Sequence, residues 1–456
     1  MRSEEVLPDA FLLHSTLPTK KGTLTAQQLT VNPNYVYTSN APLSFTVPRS
    51  SDGMIYPLSA SLELEIQFRH KDGSDNLTPE EKLAIPINGI ANTLFRNVET
   101  KINGQPVTNM NGMYAYRANM TNRLAMGNAP QKGQLSIEGY APSDIVFDNI
   151  SNDDYKKLSD PESTVSVTLK KRLRMMNTEK KSFVVHTRIH DDIFCQPKAL
   201  PLNTQLEISL HKADRKFYTL SKDPDDKTEN LELIIKKAQL SILILNPDER
   251  LRNELRDFHK RGIDAVYPLR MVKMFFNTTA SGMADIGASK IITGVLPNMI
   301  VIGCVESDAF HGNVKKDPFN FQHFNAERVT VKAHGSQIPD HVLEVDFEKI
   351  GGDLYGLISL LTATETMYNP SIDIGINREN YSIGNTMYGV LINPGKRVQS
   401  AYDSFEPCAT GSVDVSIKVG KTLEHSVTLV VLAQFDGEIR VRTNGTVVST
   451  CERMPE

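Results

Sequence analysis

Apolar and polar residues alternate along many short segments of this chain. Within residues 61–68, Leu62, Leu64, Ile66 and Phe68 occupy every second position, with polar residues between them. A period of two is typical of a strand with one buried face. Alternation or a short apolar run predicts further strands at 97–102, 165–169, 183–189, 206–210, 240–245, 272–276, 291–296, 299–305, 329–333, 388–392, 413–419, 427–435 and 438–442. The chain is therefore predicted to be all-β.

The hydrophobic period changes once, near the middle of the chain. Residues 246–249 predict a helix start with Asn246 as N-cap, proline in the first turn and Glu249 placed as in a capping box. Three apolar residues then recur at helical spacing, namely Leu251, Leu255 and Phe258. Gly262 is a typical helix end. This short helix is the clearest domain boundary.

The length of 456 residues predicts two domains, because a single core stops growing at about 250–300 residues. Each half consists of short strands separated by polar loops, which is typical of an antiparallel sandwich. The predicted division is an N-terminal arm at 1–45, a first half at 46–246, a linking helix at 247–264 and a second half with a C-terminal tail at 265–456. Long surface loops are expected at 71–83 and 212–229.

Composition narrows the functional classes. The net charge of −4 and pI near 6.3 argue against a DNA-condensing role, although a local basic patch remains compatible with them. Four cysteines without CxxC spacing indicate reduced thiols and an intracellular folding compartment. The first residues do not resemble a signal peptide. Because no stretch reaches about 18 apolar residues, we expect no integral membrane segment.

The densest basic run contains Lys170, Lys171, Arg172 and Arg174. Such a run can contact phosphate groups of a nucleic acid. The favoured alternative is a solvated loop or a subunit contact, because charge runs are usually exposed faces. We therefore treat it as a candidate basic patch at an interface or at the interior of an assembly.

No catalytic or metal-binding arrangement can be assigned from the sequence. His186 and His190 share one face of a predicted strand, but residues i and i+4 lie about 13 Å apart there, too far for one ion. Cys304 lies among apolar residues, and Cys195 follows Ile193-Phe194, so both are expected to be buried, inert thiols. We predict no enzymatic activity and no cofactor.

An aromatic segment stands out in the second half. Residues 318–324, PFNFQHF, contain three phenylalanines and one histidine, followed by an alternating strand. The segment has neither a nucleophile nor a carboxylate pair. It is predicted to anchor a loop against a β-sandwich, with the candidate anchor residues Pro318, Phe319, Phe321, His323 and Phe324.

Several segments, in order, resemble the double jelly-roll major capsid proteins of Polinton-type elements, adintoviruses and related double-stranded DNA viruses. They lie at residues 87–95, 98–107 with its Asn-Gly turn, 114–117, 190–194, 200–210, 267–268, 301–310, 318–324 and 433–436. The resemblance extends from about residue 55 to 447. His334-Gly335 stands where Asp-Gly is common, and residues 341–385 and the arm match poorly.

The resemblance implies two tandem eight-stranded antiparallel jelly rolls standing side by side. It implies that three copies form a pseudo-hexagonal, hexon-like capsomer and that capsomers build an icosahedral shell around double-stranded DNA. The expected partners are further copies of the chain, minor capsid or vertex proteins, and the genome through non-specific contact. The expected location is the virion capsid, assembled inside the host cell.

Three alternatives remain open at this point. A minor capsid or vertex protein usually has one jelly roll and forms pentamers, whereas this chain has two β halves of similar length. A host-derived binding module, such as a lectin-like sandwich, would need a clustered site of acidic and aromatic residues. A sandwich-fold hydrolase would need a convergent set of carboxylates or histidines.

Overall fold

A computed structural model describes residues 24–35, 41–74, 77–142, 144–160, 162–176, 182–223, 226–340, 342–367, 373–393 and 409–450. The strands of the first half are β1 Leu24–Val31, β2 Leu43–Val47, β3 Met54–His70, β4 Ile85–Pro86, β5 Phe95–Ile102, β6 Gln105–Asn109, β7 Phe183–Thr187, β8 Leu206–Lys212, β9 Thr219–Leu220 and β10 Leu231–Pro247. Those of the second half are β11 Ala265–Thr279, β12 Asp285–Val295, β13 Met299–Glu306, β14 Ala326–Ala333, β15 Ser336–Gln337, β16 Leu343–Glu344, β17 Met387–Leu391, β18 Thr410–Val419, β19 Val427–Val441 and β20 Val447–Thr450. The helices are α1 Ile90–Thr93, α2 Tyr114–Ala125, α3 Asn128–Lys132, α4 Asn152–Lys156, α5 Val167–Met176, α6 Arg215–Tyr218, α7 Glu249–Lys260, α8 Ser307–His311 and α9 Leu354–Ala363.

Both halves have the same sheet topology. In the first half, four-stranded sheets run in the orders β1-β10-β3-β7 and β2-β8-β5-β6. In the second half, the main sheets run in the orders β11-β19-β13-β17 and β12-β18-β14-β15, and β20 and β16 add to their strands β19 and β14. If the eight main strands of each half are counted from one, both halves read 1-8-3-6 and 2-7-4-5. The chain is therefore a double jelly roll, as predicted.

The strands of the first half follow the predicted alternation. In β3 the side chains of Leu62, Leu64 and Ile66 are buried, whereas the residues between them are partly exposed. The strand pairs with β10 on one side and β7 on the other, all antiparallel. The Asn103-Gly104 turn between β5 and β6 is confirmed, with φ of 52° and 78°. These positive φ values are the reason why asparagine and glycine suit this turn.

The linking helix is confirmed, but its start is not where the sequence placed it. Asp248, not Asn246, is the N-cap, because its side chain accepts a hydrogen bond from the amide of Leu251 at 2.9 Å. Asn246 and Pro247 still belong to β10, where Pro247 pairs with Leu24. The helix ends at Lys260, and Gly262 follows with φ of 75°. This positive φ agrees with the predicted glycine stop.

Three other predictions are wrong. Residues 165–169 were expected to form a strand, but α5 begins at Val167. Residues 24–31 of the predicted arm form edge strand β1, so the first sandwich begins before residue 46. The segment 212–229 is not purely a surface loop, because Tyr218, Leu220 and Thr228 are buried. Residues 1–23 and 36–40 of the predicted arm lie outside the described residues.

Candidate functional site: the seam between the two jelly rolls

The two jelly rolls meet at an aromatic cluster, which we call the seam cluster. It consists of Tyr116 on α2 and Phe217 from the first half, and Phe310, Phe319 and Phe321 from the second half. The ring of Tyr116 lies 5.2 Å from the ring of Phe310 and 5.2 Å from that of Phe319, measured between centroids. Phe217 meets Phe319 edge to face at 5.8 Å. Aromatic pairs at these distances add to the free energy of burying their area.

The hydroxyl group of Tyr116 also forms a contact between the two jelly rolls. Its hydroxyl donates a hydrogen bond to the carbonyl oxygen of Pro318 at 2.9 Å. Complete burial raises the pKa of this phenol well above its ordinary value. The side chain therefore joins the two halves as a neutral donor, with its ring in the apolar cluster.

Arg123, near the end of α2, holds the same segment of the second half. Its guanidinium donates hydrogen bonds to the carbonyl oxygens of Phe319 and Gly384, each at 3.1 Å. A third bond reaches Oδ1 of Asn385 at 2.8 Å. The guanidinium carbon lies 5.4 Å from the ring centroid of Phe321, within cation–π range. One planar group thus contacts four residues of the neighbouring jelly roll.

Arg117 forms a buried ion pair at a second point of the seam. It contacts Asp192 at 2.5 Å and donates to the carbonyl oxygen of Val272, in β11, at 3.1 Å. The same Asp192 carboxylate accepts the amide of Val272 at 3.2 Å. Burial alone would lower the pKa of Arg117, but the charges of Asp192 and Asp191 outweigh it and raise the pKa. The pair binds a β11 backbone unit of the second half through both its N–H and its C=O.

Asp148, in the first jelly roll, forms another contact with the second jelly roll. Its carboxylate accepts the amide of Asp317 at 2.6 Å and the side-chain amide of Asn320 at 2.7 Å. Burial, and then the nearby charge of Asp317, raise the pKa of Asp148 to about 6. Lys222 donates to the carbonyl oxygen of Asp148 at 2.9 Å. The charge of this contact therefore changes as the pH passes through about 6.

The predicted anchor residues separate into two groups. Phe319 and Phe321 are buried in the seam cluster, and the carbonyl of Pro318 accepts the Tyr116 bond. His323 instead stacks on Phe347 within the second jelly roll at 4.1 Å. Phe324 is partly buried against the core, with φ of 45°. The structure thus places the segment between the halves, where the sequence predicted a loop on one sandwich.

The predicted basic run does not form a single exposed patch. Arg172 is buried in α5 and donates to the carbonyl oxygen of Pro86 at 2.7 and 3.0 Å. Lys170 is partly buried and bonds to the carbonyl oxygen of Ser163. Only Lys171 and Arg174 of the four are exposed. The run lies on helix α5 and not in a loop, so its side chains point in different directions around the helix axis.

Sequence reasoning did not predict the role of the seam residues of the first half, although residues 114–117 belong to a segment that carries the resemblance. Tyr116, Arg117 and Arg123 lie on α2, a helix that is buried on nearly all sides. Such a helix has no apolar stripe, so periodicity did not reveal it. Two arginines in a segment with several apolar residues were the available signal, because a buried arginine needs a specific partner.

Outside the seam, the structure also bears on metal binding, cysteine thiols and membrane-spanning helices. Across the described ranges, no group of three His, Cys, Asp or Glu residues is arranged to hold a metal ion. Burial of Cys304 raises its pKa to about 12. Cys195 is exposed, which contradicts the expected burial. In the part of the chain that the structure describes, no helix is both long and apolar enough to cross a membrane.

Comparison with known proteins gives a remote relative. An uncharacterized protein of Caenorhabditis elegans, F54H12.2, is 22% identical over 417 residues, which cover 89% of this chain and 92% of that protein. No family model matches the chain.

Comparison with solved structures gives similar folds at low sequence identity. A chain of the Sputnik virophage structure has a TM-score of 0.63 and 12% identity, covering 100% of this chain and 94% of its own. Vp54 of PBCV-1, fitted into a reconstruction of Sputnik, has a TM-score of 0.53 and 9% identity, with 96% and 99% covered. The Faustovirus major capsid protein has a TM-score of 0.52 and 9% identity, with 94% and 92% covered. These structural neighbours are double jelly-roll major capsid proteins of large DNA viruses and virophages.

Proposed function

We propose that this chain is a structural major capsid protein without enzymatic activity. Three copies form a pseudo-hexagonal capsomer, and capsomers tile an icosahedral shell around double-stranded DNA. The observation that carries the proposal is the repetition of one strand order in two jelly rolls of one chain. Closed three-fold assembly of such a chain presents six similar sandwiches in a ring, because each copy contributes two.

The seam supports this role. A subunit of a capsid shell has to keep its shape when neighbouring subunits contact its sides. The seam cluster, the Arg123 contacts and the Arg117–Asp192 pair join the two sandwiches with aromatic packing and charge-assisted hydrogen bonds. A block of two joined sandwiches has a fixed angle between its halves, which a pseudo-hexagonal outline requires.

Further details of the proposal rest on resemblance. The chain comes from a Polinton-type element or a related double-stranded DNA virus, and its place is the virion capsid, assembled inside the host cell. Its partners are copies of itself and minor capsid or vertex proteins. Lys171 and Arg174, the exposed residues of the predicted basic patch, contact a subunit or the packaged genome. Pro318, Phe319 and Phe321 serve as the anchor between the halves, and His323 and Phe324 support it from the second half.

The first test is the absolute mass of the purified protein by light scattering during size-exclusion chromatography. The proposal predicts a stable trimer, near three times 50.8 kDa. A pentamer would contradict it and favour a vertex protein. A monomer that stays monomeric at every concentration and salt condition tested would contradict self-assembly and favour a binding module.

The basic residues have a separate test. Charge reversal of Lys171 and Arg174 should reduce the yield of trimers or of closed shells, and Lys82→Glu is the matched exposed control. If charge reversal changes neither trimer yield nor shell yield, the proposed role of this patch is wrong, while the capsid role stands on the mass measurement.

A further inference from the structure

Helix α7, which links the two jelly rolls, has an apolar stripe that does not join the core. The stripe consists of Leu251, Leu255, Phe258 and, just beyond the helix, Ile263. Leu251 and Leu255 are partly exposed, whereas Phe258 is 41% and Ile263 52% exposed. Among the described residues that pack against the main core, none belongs to α7. Amphipathic helices normally turn such a stripe toward the core.

Polar contacts hold the helix in place instead. Arg252 forms an ion pair with Asp52 at 2.7 Å and donates to the carbonyl oxygen of Pro247 at 3.1 Å. Arg256 reaches the same Asp52 at 3.6 Å. Arg252 and Arg256 therefore fix the helix to the body, and Phe258 and Ile263, at the far end of the apolar stripe, remain exposed.

The N-terminal segment, residues 1–13, has the composition to cover this stripe. Besides Met1, residues 1–13 contain five large apolar residues, namely Val6, Leu7, Phe11, Leu12 and Leu13. The same residues include three acidic side chains and one basic side chain, whereas residues 249–261 include five basic and three acidic ones. The segment and the helix thus match in apolar character and are opposite in net charge.

The chain geometry allows the contact. Leu24, the first residue of β1, pairs with Pro247, which directly precedes the N-cap Asp248 of α7. Leu24, the first described residue, therefore lies beside the start of the helix. Residues 14–23 span up to about 33 Å when extended, at about 3.3 Å per residue. The 12 residues of α7 extend over about 18 Å. The connection is long enough to bring residues 1–13 onto any part of the stripe.

We propose that residues 1–13 of this chain bind along the apolar stripe of α7. Phe11, Leu12 and Leu13 cover Leu255 and Phe258, and the acidic residues of the segment lie near the arginines of the helix. The segment is then an internal strap across the link between the jelly rolls. This proposal does not depend on the capsid function.

The sequence contains no tryptophan, so a single introduced tryptophan can report whether the stripe is covered. In Phe258→Trp the 456-residue chain carries one tryptophan, whose emission reports its exposure to water. The proposal predicts emission at short wavelength, and a shift to longer wavelength when Phe11→Ser and Leu12→Ser are added. Tyr355→Trp, at a position that is 62% exposed, is the control and should not respond to those substitutions.

Each outcome decides the proposal. A short-wavelength emission that is lost with the N-terminal substitutions and is independent of protein concentration supports it. Long-wavelength emission from Trp at position 258 in the otherwise unchanged chain overturns it. Short-wavelength emission that depends on protein concentration, or that ignores the N-terminal substitutions, shows that a second copy or another part of the chain covers the stripe, and also overturns it. If the serine variants fail to fold, Phe11→Ala and Leu12→Ala provide the same comparison with a smaller change in polarity.

Discussion

The sheets β1-β10-β3-β7 and β11-β19-β13-β17 have one strand order but different surroundings. In the first sheet, β3 buries alternate residues, and Glu63 on its open face pairs with Lys237 at 3.6 Å. In the second sheet, β13 is buried at every position from Ile300 to Val305. The same topology therefore has a central strand with a partly exposed face in the first sheet, β3, and a central strand buried on both faces in the second sheet, β13.

Two glycines explain how the second sheet is covered. A Cβ atom on Gly303 would lie 2.5 Å from the ring of Phe321, and one on Gly389 would lie 2.5 Å from Cβ of Ala363 in α9. Because Val301 pairs with Gly389 and Gly303 pairs with Met387, both glycines lie on one face of the sheet. That face receives the seam segment and α9. The seam is therefore built partly on the face of β13 and β17 that carries the two glycines.

The largest expected effect on stability comes from removing the aromatic ring of Phe321, which lies between the two jelly rolls. Phe321→Ala should lower the free energy of unfolding by about 3–5 kcal/mol, because a buried aromatic side chain is replaced by a cavity. Chemical denaturation measures the change. Tyr355→Ala, which alters an exposed ring, should stay within about 0.5 kcal/mol. A loss below about 1 kcal/mol for Phe321→Ala would contradict the covered-sheet account.

The next effect concerns pH at the contact of Asp148 with Asp317 and Asn320. Because the pKa of Asp148 is raised from 3.8 to about 6, its contribution to stability is fully present below about pH 4 and is lost as the pH rises through about 6. The loss is on the order of 3 kcal/mol, at about 1.4 kcal/mol per pKa unit.

The matched variant for this prediction is Asp148→Asn, which cannot ionise. The difference in unfolding free energy between the original chain and the variant should decrease between pH 4 and pH 7. Urea denaturation of both proteins across this range isolates the contribution of Asp148 from that of other carboxylates. A constant difference would show that Asp148 does not titrate in this window.

A smaller effect on stability compares the two sheets directly. Gly303→Ala should cost about 1–3 kcal/mol, because the added methyl group meets the Phe321 ring in a packed region. Glu63→Ala, on the open face of β3, removes only a surface ion pair and should cost about 0.5 kcal/mol or less. Equal costs at the two positions, measured by denaturant midpoint, would contradict the difference between the sheets.

The strands could be predicted from the sequence where one face is open, as at residues 61–68 and 413–419. The continuous apolar run at residues 299–305 also predicted a strand, since strands buried on both faces lose their alternation. The residues that cover such a strand cannot be predicted from the sequence near that strand. Phe321 was predicted as an anchor, but its partners Tyr116 and Arg123 lie about 200 residues earlier in the chain.

The error at residues 165–169 has a specific physical cause. Val165, Val167 and Leu169 alternate like a strand, but Ser166 and the distant Asp144 cap a helix here. The carboxylate of Asp144 accepts the amide of Val167 at 2.9 Å. The hydroxyl of Ser166 accepts the amide of Leu169 at 3.1 Å. The Ser166 cap is local and was overlooked, whereas the Asp144 cap, more than 20 positions away, leaves no local pattern.

The most direct test of the central claim is electron microscopy of the purified protein. The account predicts particles with three-fold symmetry and six lobes, two for each copy, with a constant angle between the two lobes of one chain. Particles with five-fold symmetry, or chains whose two lobes adopt variable angles, would contradict it.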